Sequence, residues 1–398
     1  MKEDALDKGS SGRARTCLIP VLAVGILLLL PAQQVAQGSQ AVIENPARPP
    51  APNAGRTVEL KEAWRISDDG RDLVFINPRY LTLSANGSLF ILNNPSVLKF
   101  SPEGQLVFVI VQKGQGPKES LVTSSMWISD DRLGVLSFNP PKVLEYGLDG
   151  AFKSEERLNE PQTFYFLAKA GGRLFGIRDE VRHSKVIFEN GFVEASCRLY
   201  EISDGFRTLK PVHDFPVPYY IKDRHWWRRG MFLARTDGRS LYVVRSAEYR
   251  VERFDLASRT VDLVFSRPYK RRRIDRHEDR EPERSERGLR PPPETHYFDI
   301  MGLAVAGGRV WVFTSTEREE GRQRLVDIFD RDGRYLDSYF LRFPLGTARH
   351  FVADAVIGQD GSLLLVEEDD EGLLSIVKYK GLEATQAKSS GRHEGRGR

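Results

Sequence analysis

The sequence predicts an all-β fold in which six four-stranded units close into a ring, a six-bladed β-propeller. The first indication is residues 97–104, Val-Leu-Lys-Phe-Ser-Pro-Glu-Gly, which combine an apolar strand, an aromatic residue and a turn. Variants of this motif recur five more times, and their aromatic anchors are Phe100, Tyr146, Tyr200, Phe254, Phe329 and Tyr379. Strand-and-turn repeats with a period of about 50 residues are typical of radial β arrays.

The second indication is a hairpin that precedes the motif in every unit. In the first unit, residues 80–83 and 89–92 flank Ser-Ala-Asn-Gly, and an Asn-Gly pair favours a tight turn between two strands. Equivalent turns are at residues 129–131, 170–172, 236–238, 306–308 and 359–361. Two hairpins in each unit make four strands, which is the composition of a propeller blade.

The third indication is an incomplete last unit with a spare strand at the other end. The sixth unit has three strands before the chain becomes polar, and residues 57–66 alternate as a further strand. We expect this N-terminal strand to complete the last blade, because closure pairs strand edges that would otherwise stay open. An open β-sandwich or two unrelated β domains would be the alternative, but neither explains six copies and a spare strand. The propeller is therefore assigned to residues 57–381.

Residues 1–38 have the pattern of a signal peptide or an N-terminal anchor. A charged segment precedes the apolar residues 17–31, and small residues at Ala36 and Gly38 fit a signal-peptidase site. The apolar core is shorter than the roughly 20 residues that span a bilayer, which favours cleavage. The alternative is an uncleaved anchor, and only in that case do we expect the protein to contact a membrane.

The segments on either side of the propeller are predicted to lack a fold of their own. Residues 39–56 are rich in Pro and Ala and indicate an extended linker, and the polar residues 382–398 indicate a disordered tail. Because Cys17 lies in the leader, Cys197 is the one cysteine expected in the mature chain. An internal disulfide and a cysteine-based metal site are thereby excluded.

Composition and motifs exclude several classes of function. The net charge is +4, with 59 basic and 55 acidic residues, too balanced to predict binding to nucleic acid. The sequence contains no Gly-x-Ser-x-Gly elbow, no His-Glu-x-x-His and no phosphate-binding loop. We therefore expect no cofactor and no catalytic residue of these types.

The lengths of the predicted loops indicate which face of the ring carries function. The turns within hairpins are short and share one side, here named the short-turn face. Connections between hairpins and between blades share the opposite side, the long-loop face, and its longest segments are residues 112–124, 211–230, 268–295 and 344–350. Variable loops on a rigid scaffold are where binding groups are usually placed, so function is expected on the long-loop face.

Two groups of residues on that face are candidates for ligand binding. Paired aromatic and arginine side chains suit stacking and charge-assisted contacts, and here they are Tyr220, Trp226, Trp227, Arg228 and Arg229. The alternative is that both tryptophans only pack the mouth of a blade. The starts of the inner strands, where the channel opens, should form a polar ring of Arg79, Tyr80, Ser124, Ser125, Thr163, Tyr165, Arg228, His296, Asp299, Arg349 and His350. Within this ring, the candidates for ligand contact are His296, Asp299, Arg349 and His350. The alternative for them is hydrogen bonding to ordered water.

Two charged segments are predicted to lie in solvent. Residues 269–290 interleave basic and acidic side chains, which indicates a mobile loop, with a partner-docking loop as the alternative. Residues 367–371, Glu-Glu-Asp-Asp-Glu, provide carboxylates for a hard cation, but they lack the alternating spacing of a dedicated calcium loop. A solvated turn is the interpretation we favour, and no metal ligand is assigned.

The sequence resembles the bacterial six-bladed β-propeller family related to NHL-repeat proteins. Besides the repeats, the resemblance rests on residues 114–120, Gly-Gln-Gly-Pro-Lys-Glu-Ser, where the family commonly has Gly-x-Gly-Pro-Gly-Glu-Phe. Four positions match and two, Lys118 and Ser120, depart. The resemblance implies the fold over residues 57–381, but such folds carry many activities. Related propellers include calcium-dependent lactonases with Glu, Asn and Asp at the channel mouth, which makes Asp299 the corresponding candidate.

These observations predict an exported protein, located in the periplasm, on the cell surface or outside the cell. Its expected role is non-catalytic binding of a protein, peptide or glycan through the long-loop face. The alternative is a metal-assisted lactonase or lyase with its site at the channel mouth. A third possibility is a purely structural domain of the cell envelope.

Overall fold

The computed structural model describes residues 40–68, 70, 73–129, 131–181, 185–274, 291–319, 322–344 and 349–382. The predicted signal or anchor lies outside the described residues, as does nearly all of the predicted tail. Leu382, expected to begin that tail, is instead buried. Within the described ranges there is no α-helix, and 3₁₀ turns occur at Lys185–Phe188 and Asp204–Phe206. No helix of this part of the chain is long and apolar enough to cross a membrane.

The strands follow one another around the ring, beginning with three short N-terminal ones. These are β1 (Ala41–Glu44), β2 (Arg56–Glu59) and β3 (Lys61–Ser67). Blade 1 consists of β4 (Pro78–Leu83), β5 (Leu89–Asn93), β6 (Ser96–Phe100) and β7 (Leu106–Ile110). A small parallel pair follows, β8 (Gln112–Lys113) and β9 (Glu119–Ser120). Blade 2 consists of β10 (Val122–Ser129), β11 (Arg132–Asn139), β12 (Lys142–Gly147) and β13 (Phe152–Arg157).

The other four blades continue in the same order. Blade 3 has β14 (Phe166–Ala170), β15 (Arg173–Asp179), β16 (Gly191–Ser203), β17 (Thr208–Lys222) and β18 (His225–Arg228). Blade 4 has β19 (Leu233–Thr236), β20 (Ser240–Val244), β21 (Arg250–Asp255) and β22 (Thr260–Ser266). Blade 5 has β23 (Ile300–Ala306), β24 (Arg309–Arg318), β25 (Gln323–Asp330) and β26 (Tyr335–Arg342). Blade 6 has β27 (Arg349–Ile357), β28 (Leu363–Glu368) and β29 (Leu374–Lys380).

The ring is closed by the N-terminal strand β3, as the sequence predicted. It pairs antiparallel with β29, from Ser67 opposite Ser375 to Lys61 opposite Lys380, and supplies the fourth strand of blade 6. The prediction of one continuous strand over residues 57–66 was wrong. Leu60 is buried in the core shared by blades 5 and 6, and its N–H donates to the Arg342 carbonyl. The chain therefore changes sheets at this residue.

The predicted Pro-rich linker forms a strap along the outside of two blades, held by two short parallel strands. Strand β1 pairs in parallel with β22 of blade 4, and β2 pairs in parallel with β26 of blade 5. Between the two blades, the Asn45 side chain donates to the Ser266 and Gly333 carbonyls and accepts from the Tyr335 N–H. Composition did not reveal these strands, because four-residue parallel edges are held by backbone hydrogen bonds and need no apolar alternation.

The core of the molecule lies between neighbouring blades. One cluster combines Tyr242 and Phe265 of blade 4 with Val312 and Phe329 of blade 5, and another joins blades 5 and 6. All six predicted aromatic anchors are buried, none more than 4% exposed. Each anchor packs in a cluster with residues of the preceding blade. Because full burial of a large apolar side chain contributes about 1.5–3 kcal/mol, each anchor couples the stability of its blade to that of the preceding one.

The glycine that ends the repeat motif has a packing role in this coupling. Gly104 has a φ of +87°, and a Cβ there would approach the Trp64 ring to 2.8 Å. Trp64 belongs to the outer strand of blade 6 and also donates from Nε1 to the Pro102 carbonyl at 2.9 Å. Gly333 has the same relation to Phe265 of blade 4. The motif glycine therefore serves both the turn and the aromatic side chain of the preceding blade.

This packing predicts different costs for two alanine substitutions at glycines with the same backbone conformation. Gly238 has a φ of +88° and no atom within 4 Å of the added Cβ, so Gly238→Ala should cost about 1–2 kcal/mol from backbone strain alone. Gly104→Ala should lose a further 1–3 kcal/mol or so, because it also overpacks against Trp64. Urea denaturation measures both, and equal losses would contradict the packing role.

The strap predicts a second stability difference. Asn45→Ala should lower the free energy of unfolding by about 1–3 kcal/mol, because the Gly333 carbonyl and the Tyr335 N–H lose their side-chain partner, while the Ser266 carbonyl keeps the Asn45 backbone N–H. The matched control is Val42→Ala in β1, since Val42 is 65% exposed and should change stability by no more than about 0.5 kcal/mol. If chemical denaturation gives the same midpoint for Asn45→Ala and the wild type, the strap does not tie the two blades.

Candidate functional site: a pocket at the mouth of the channel

Blade 3 extends beyond the ring on the long-loop face. Residues 211–230 were predicted as a loop, and this was wrong, because β17 runs through them and β18 returns as a fifth strand. Strand β15 ends at Asp179 opposite Cys197, so residues 191–196 and their partners in β17 project past it. The signal was present in Phe215, Val217, Tyr219 and Ile221, which alternate and are buried. Prolines at positions 211, 216 and 218 obscured it.

The two predicted tryptophans point to opposite sides of β18. Trp226 packs against the core shared by blades 3 and 4, whereas Trp227 lies beside the Tyr220 ring at a centroid distance of 6.1 Å. On Trp227's side of the extension, Phe192 is 69% exposed and contacts the Tyr220 ring at 5.2 Å. Adjacent residues in a strand face opposite ways, so the aromatic pair is divided between two surfaces.

Trp226 lines a pocket where the inner strands of blades 1, 2 and 3 begin, named here the channel-mouth pocket. It has a volume of about 620 Å³, within the range of small-molecule sites. Its walls combine aromatic, hydroxyl and charged side chains, among them Arg79, Tyr80, Ser124, Thr163, Tyr165, Arg178, Asp179 and Trp226. The structure thus brings Trp226 together with the inner-strand starts of three blades.

Arg228 stands behind the pocket wall and does not line it. Its guanidinium carbon lies 4.6 Å from the centroid of the Tyr165 ring, and Nη2 is 3.5 Å from the Asp179 carboxylate. The same carboxylate accepts hydrogen bonds from the hydroxyls of Tyr165, at 3.2 Å, and Tyr219, at 2.7 Å. Arg228 and Asp179 therefore fix the tyrosine that forms one side of the pocket.

A second group of hydrogen bonds holds Arg178 in place. Its guanidinium donates to the Glu180 carboxylate at 2.9 Å, to the Gln162 side chain at 3.0 Å and to the Tyr200 hydroxyl at 3.2 Å. The Tyr200 hydroxyl in turn donates to Glu180 at 2.7 Å. The charge of Arg178 is thus compensated within the protein.

On the blade 1 side, a β-bulge sets the pocket wall. The pairing of β4 with β5 shifts between Arg79 and Thr82, and Tyr80 has a φ of +54°. Left-handed backbone is unfavourable for a bulky side chain, at a cost of about 1–3 kcal/mol. The Tyr80 hydroxyl offsets part of this cost by donating to the Phe164 carbonyl of blade 3 at 3.2 Å. Through the bulge, both Arg79 and Tyr80 line the pocket, which a regular strand would prevent.

An arginine crosses the channel beyond the pocket. Inner strands of all six blades line a cavity of about 330 Å³, and Tyr80 and Tyr165 line both this cavity and the channel-mouth pocket. Arg235 of blade 4 donates to the Ala353 carbonyl of blade 6 and lies 4.0 Å from the Asp354 carboxylate. Desolvation inside the channel lowers the pKa of Arg235, while Asp354 opposes that shift.

Arg229 also lies outside the pocket. Its guanidinium donates to the Pro292 carbonyl at 2.7 Å and pairs with Glu294 at 3.0 Å, which ties the extension of blade 3 to the connection between blades 4 and 5. In that connection, the backbone of His296 pairs with that of Arg273 as an isolated antiparallel β-bridge, and His296 Nδ1 hydrogen-bonds the Thr295 hydroxyl. Neither residue joins Trp226.

Asp299 lies between blades 4 and 5 and does not line the channel-mouth pocket. Its N–H donates to the Ala247 carbonyl, and its carboxylate accepts from Arg271 Nε at 3.1 Å. Burial raises the pKa of Asp299 while Arg271 opposes that shift. It lines a separate cavity of about 780 Å³ near the strap. Arg349 and His350 begin β27, opposite Glu368 and Glu367, and their side chains lie outside the described parts.

The two charged segments predicted to lie in solvent, residues 269–290 and 367–371, are partly held by the fold. Glu367 is 1% exposed and accepts from Arg65 and from the Tyr379 hydroxyl, so the acidic run begins inside the fold. Arg272 pairs with Glu317, while residues 275–290 of the predicted mobile loop lie outside the description. Among the residues that the structure describes, no three His, Cys, Asp or Glu side chains converge as a metal site.

A cavity of similar size, about 640 Å³, opens on the short-turn face. Turn residues form most of its lining, and no aromatic side chain is among them. Its charged groups are paired with each other, Lys378 with Asp360 at 3.0 Å and Arg331 with Asp237 at 3.5 Å. The channel-mouth pocket is therefore the better candidate site.

The burial of Cys197 predicts an unreactive thiol. This residue is fully buried beneath the extension, with Sγ 3.7 Å from the Tyr219 hydroxyl, and burial raises its pKa to about 11. At pH 8, roughly one such thiol in a thousand is the reactive thiolate. In a Cys17→Ala variant, a thiol-reactive dye should therefore label the native protein much more slowly than the urea-unfolded protein. Equal labelling rates would show that Cys197 is accessible.

Comparisons with known proteins agree with the fold. Residues 73–210, which include blades 1 and 2 and part of blade 3, match the DUF5128 family model, described as a 6-bladed beta-propeller. A protein of Bacteroides fragilis whose name describes it as exported has 14% identity and a TM-score of 0.50, with 85% of this chain and 100% of that chain covered.

A DUF4221 family member of Bacteroides vulgatus has 11% identity and a TM-score of 0.51, with 81% and 98% covered. No curated protein matches the sequence significantly. At such low identities, the structural similarities concern the fold alone. With six blades in a closed ring, the resemblance predicted from the repeats is confirmed, and the chain is a six-bladed β-propeller.

Proposed function

We propose that this chain is an exported binding protein that takes a compact glycan into the channel-mouth pocket without catalysing a reaction on it. The observation that carries the proposal is the meeting of Trp226, Tyr165 and Tyr80, from two different blades, around one cavity that also has hydroxyl and charged groups in its lining. Aromatic rings stack on the apolar faces of sugars, while hydroxyl and charged groups at the rim bond to sugar hydroxyls. The leader pattern and the exported structural neighbour support placement outside the cytoplasm.

The shape of the pocket favours a ring-shaped ligand over an extended peptide. Peptides are commonly bound along an exposed strand edge, where backbone hydrogen bonds give affinity. The channel-mouth pocket lies at the ends of inner strands, and side chains form much of its wall. A cavity of about 620 Å³ has room for a short glycan.

The wall of the pocket is suited to binding a ligand in one fixed orientation. Tyr165 is held by Asp179, and Tyr80 is held by the Phe164 carbonyl. Side chains that are already fixed lose little conformational entropy when a ligand binds, which strengthens binding. Recognition thus needs no rearrangement of the ring.

The adjacent tryptophans provide a matched pair of variants to test the proposal. Trp226→Ala should weaken glycan binding about tenfold or more, the change that corresponds to losing about 1.4 kcal/mol of stacking. Trp227→Ala removes an equally large ring one residue away, on the other surface, and should leave binding unchanged. A glycan array probed with the wild type and both variants measures the difference.

Each outcome of this experiment has a defined meaning. If Trp227→Ala loses glycan binding and Trp226→Ala retains it, the site lies on the surface formed by Phe192, Tyr220 and Trp227 and not in the channel-mouth pocket. Absence of glycan binding by the wild type would reject the proposal. Calcium-dependent lactone hydrolysis by the purified protein would support the lactonase alternative in its place.

A further inference from the structure

Arg79 differs from Arg178 and Arg228 in having no carboxylate partner among the residues that the structure describes. Among the described residues, its only hydrogen bond runs from Nη2 to the Thr123 carbonyl, at 3.5 Å, the outer limit for such a bond. Its Nε is buried, and no described residue accepts a hydrogen bond from it. The guanidinium also lies 5.3 Å from the centroid of the Tyr80 ring.

Other cations that the structure describes near cavities of the ring do have carboxylate partners. Arg178 pairs with Glu180 at 2.9 Å, and Arg228 is 3.5 Å from Asp179. On the opposite face, Lys378 and Arg331 both have carboxylate partners. A partly buried cation without a partner is unfavourable, so such a group is expected where a ligand supplies the missing charge.

Backbone strain places this cation in the pocket. The bulge in β4 and the left-handed conformation of Tyr80 let two consecutive side chains line the same cavity. Without the bulge, Arg79 and Tyr80 would point to opposite faces of the blade. Strain of this kind is found at ligand-binding sites, where the surrounding structure maintains it.

We propose that Arg79 binds a carboxylate of the ligand, so that the channel-mouth pocket selects acidic glycans such as those that contain uronic acids. This inference rests on the proposed glycan-binding function and adds the chemical class. The planar guanidinium can donate two parallel hydrogen bonds to one carboxylate, a geometry that lysine lacks. Tyr80, Tyr165 and Trp226 then contact the ring that carries the carboxylate.

The test compares acidic glycans with their own neutral counterparts. Uronic-acid oligosaccharides are arrayed beside the same compounds after carboxyl reduction, which removes the charge and retains the rings. The wild type should prefer the acidic member about tenfold or more, the effect expected of a charge-assisted hydrogen-bonded pair. In Arg79→Gln this preference should disappear, and in Arg79→Lys it should be intermediate.

The ratio of acidic to neutral binding separates recognition from damage to the fold, because loss of folding lowers both members of a pair equally. Equal binding of acidic and reduced glycans by the wild type would overturn the carboxylate inference and leave glycan binding in place. Retention of the preference in Arg79→Gln would also overturn it. If the wild type binds neither the acidic nor the reduced glycan, both proposals are rejected. Both are also rejected if it binds no glycan and instead binds peptides that have a free terminal carboxylate but not the corresponding amides.

Discussion

Each blade depends on its neighbours to bury its apolar faces, and the pairing of β3 with β29 makes this dependence circular. The aromatic anchors fill the spaces between blades, and glycines such as Gly104 admit the aromatic side chain of the preceding blade. The strap of β1 and β2 adds a further connection along the outer edges of blades 4 and 5. A ring held in this way can keep loops and strand ends at fixed distances on its long-loop face.

The channel-mouth pocket is a product of that rigidity. Three blades each supply the start of an inner strand, so the positions of Arg79, Ser124 and Tyr165 follow from the ring and not from any one loop. The extension of blade 3 then adds Trp226 at the rim, while Arg228 and Asp179 fix Tyr165 from behind. Arg178 and Arg228 have carboxylate partners, whereas no described carboxylate pairs with Arg79. The lining of the cavity thus presents the charge of Arg79 together with that of the exposed Glu160.

The parts of the structure that repeat were predictable from the sequence, and the parts that break the repeat were not. Each blade must bury one aromatic anchor, so aromatic residues recur in the sequence at the period of the blades. The strap escaped prediction because backbone hydrogen bonds of parallel edges impose no side-chain pattern. The sequence placed Trp226 on the correct face, but the strand alternation that separates it from Trp227 was hidden by prolines. Asp299 was placed at the channel, whereas its hydrogen bond to Ala247 holds it between two blades.

Entry of ligand into the pocket of blades 1, 2 and 3 can be observed by amide hydrogen exchange. Exchange is measured on the wild type with and without the glycan that binds most tightly on the array. Bound ligand should slow exchange in β4, in residues 160–165 and in β18, while exchange in the turns at residues 84–87 and 359–361 should be unchanged. Protection confined to those turns, or to the surface formed by Phe192, Tyr220 and Trp227, would show that ligand binds outside the channel-mouth pocket.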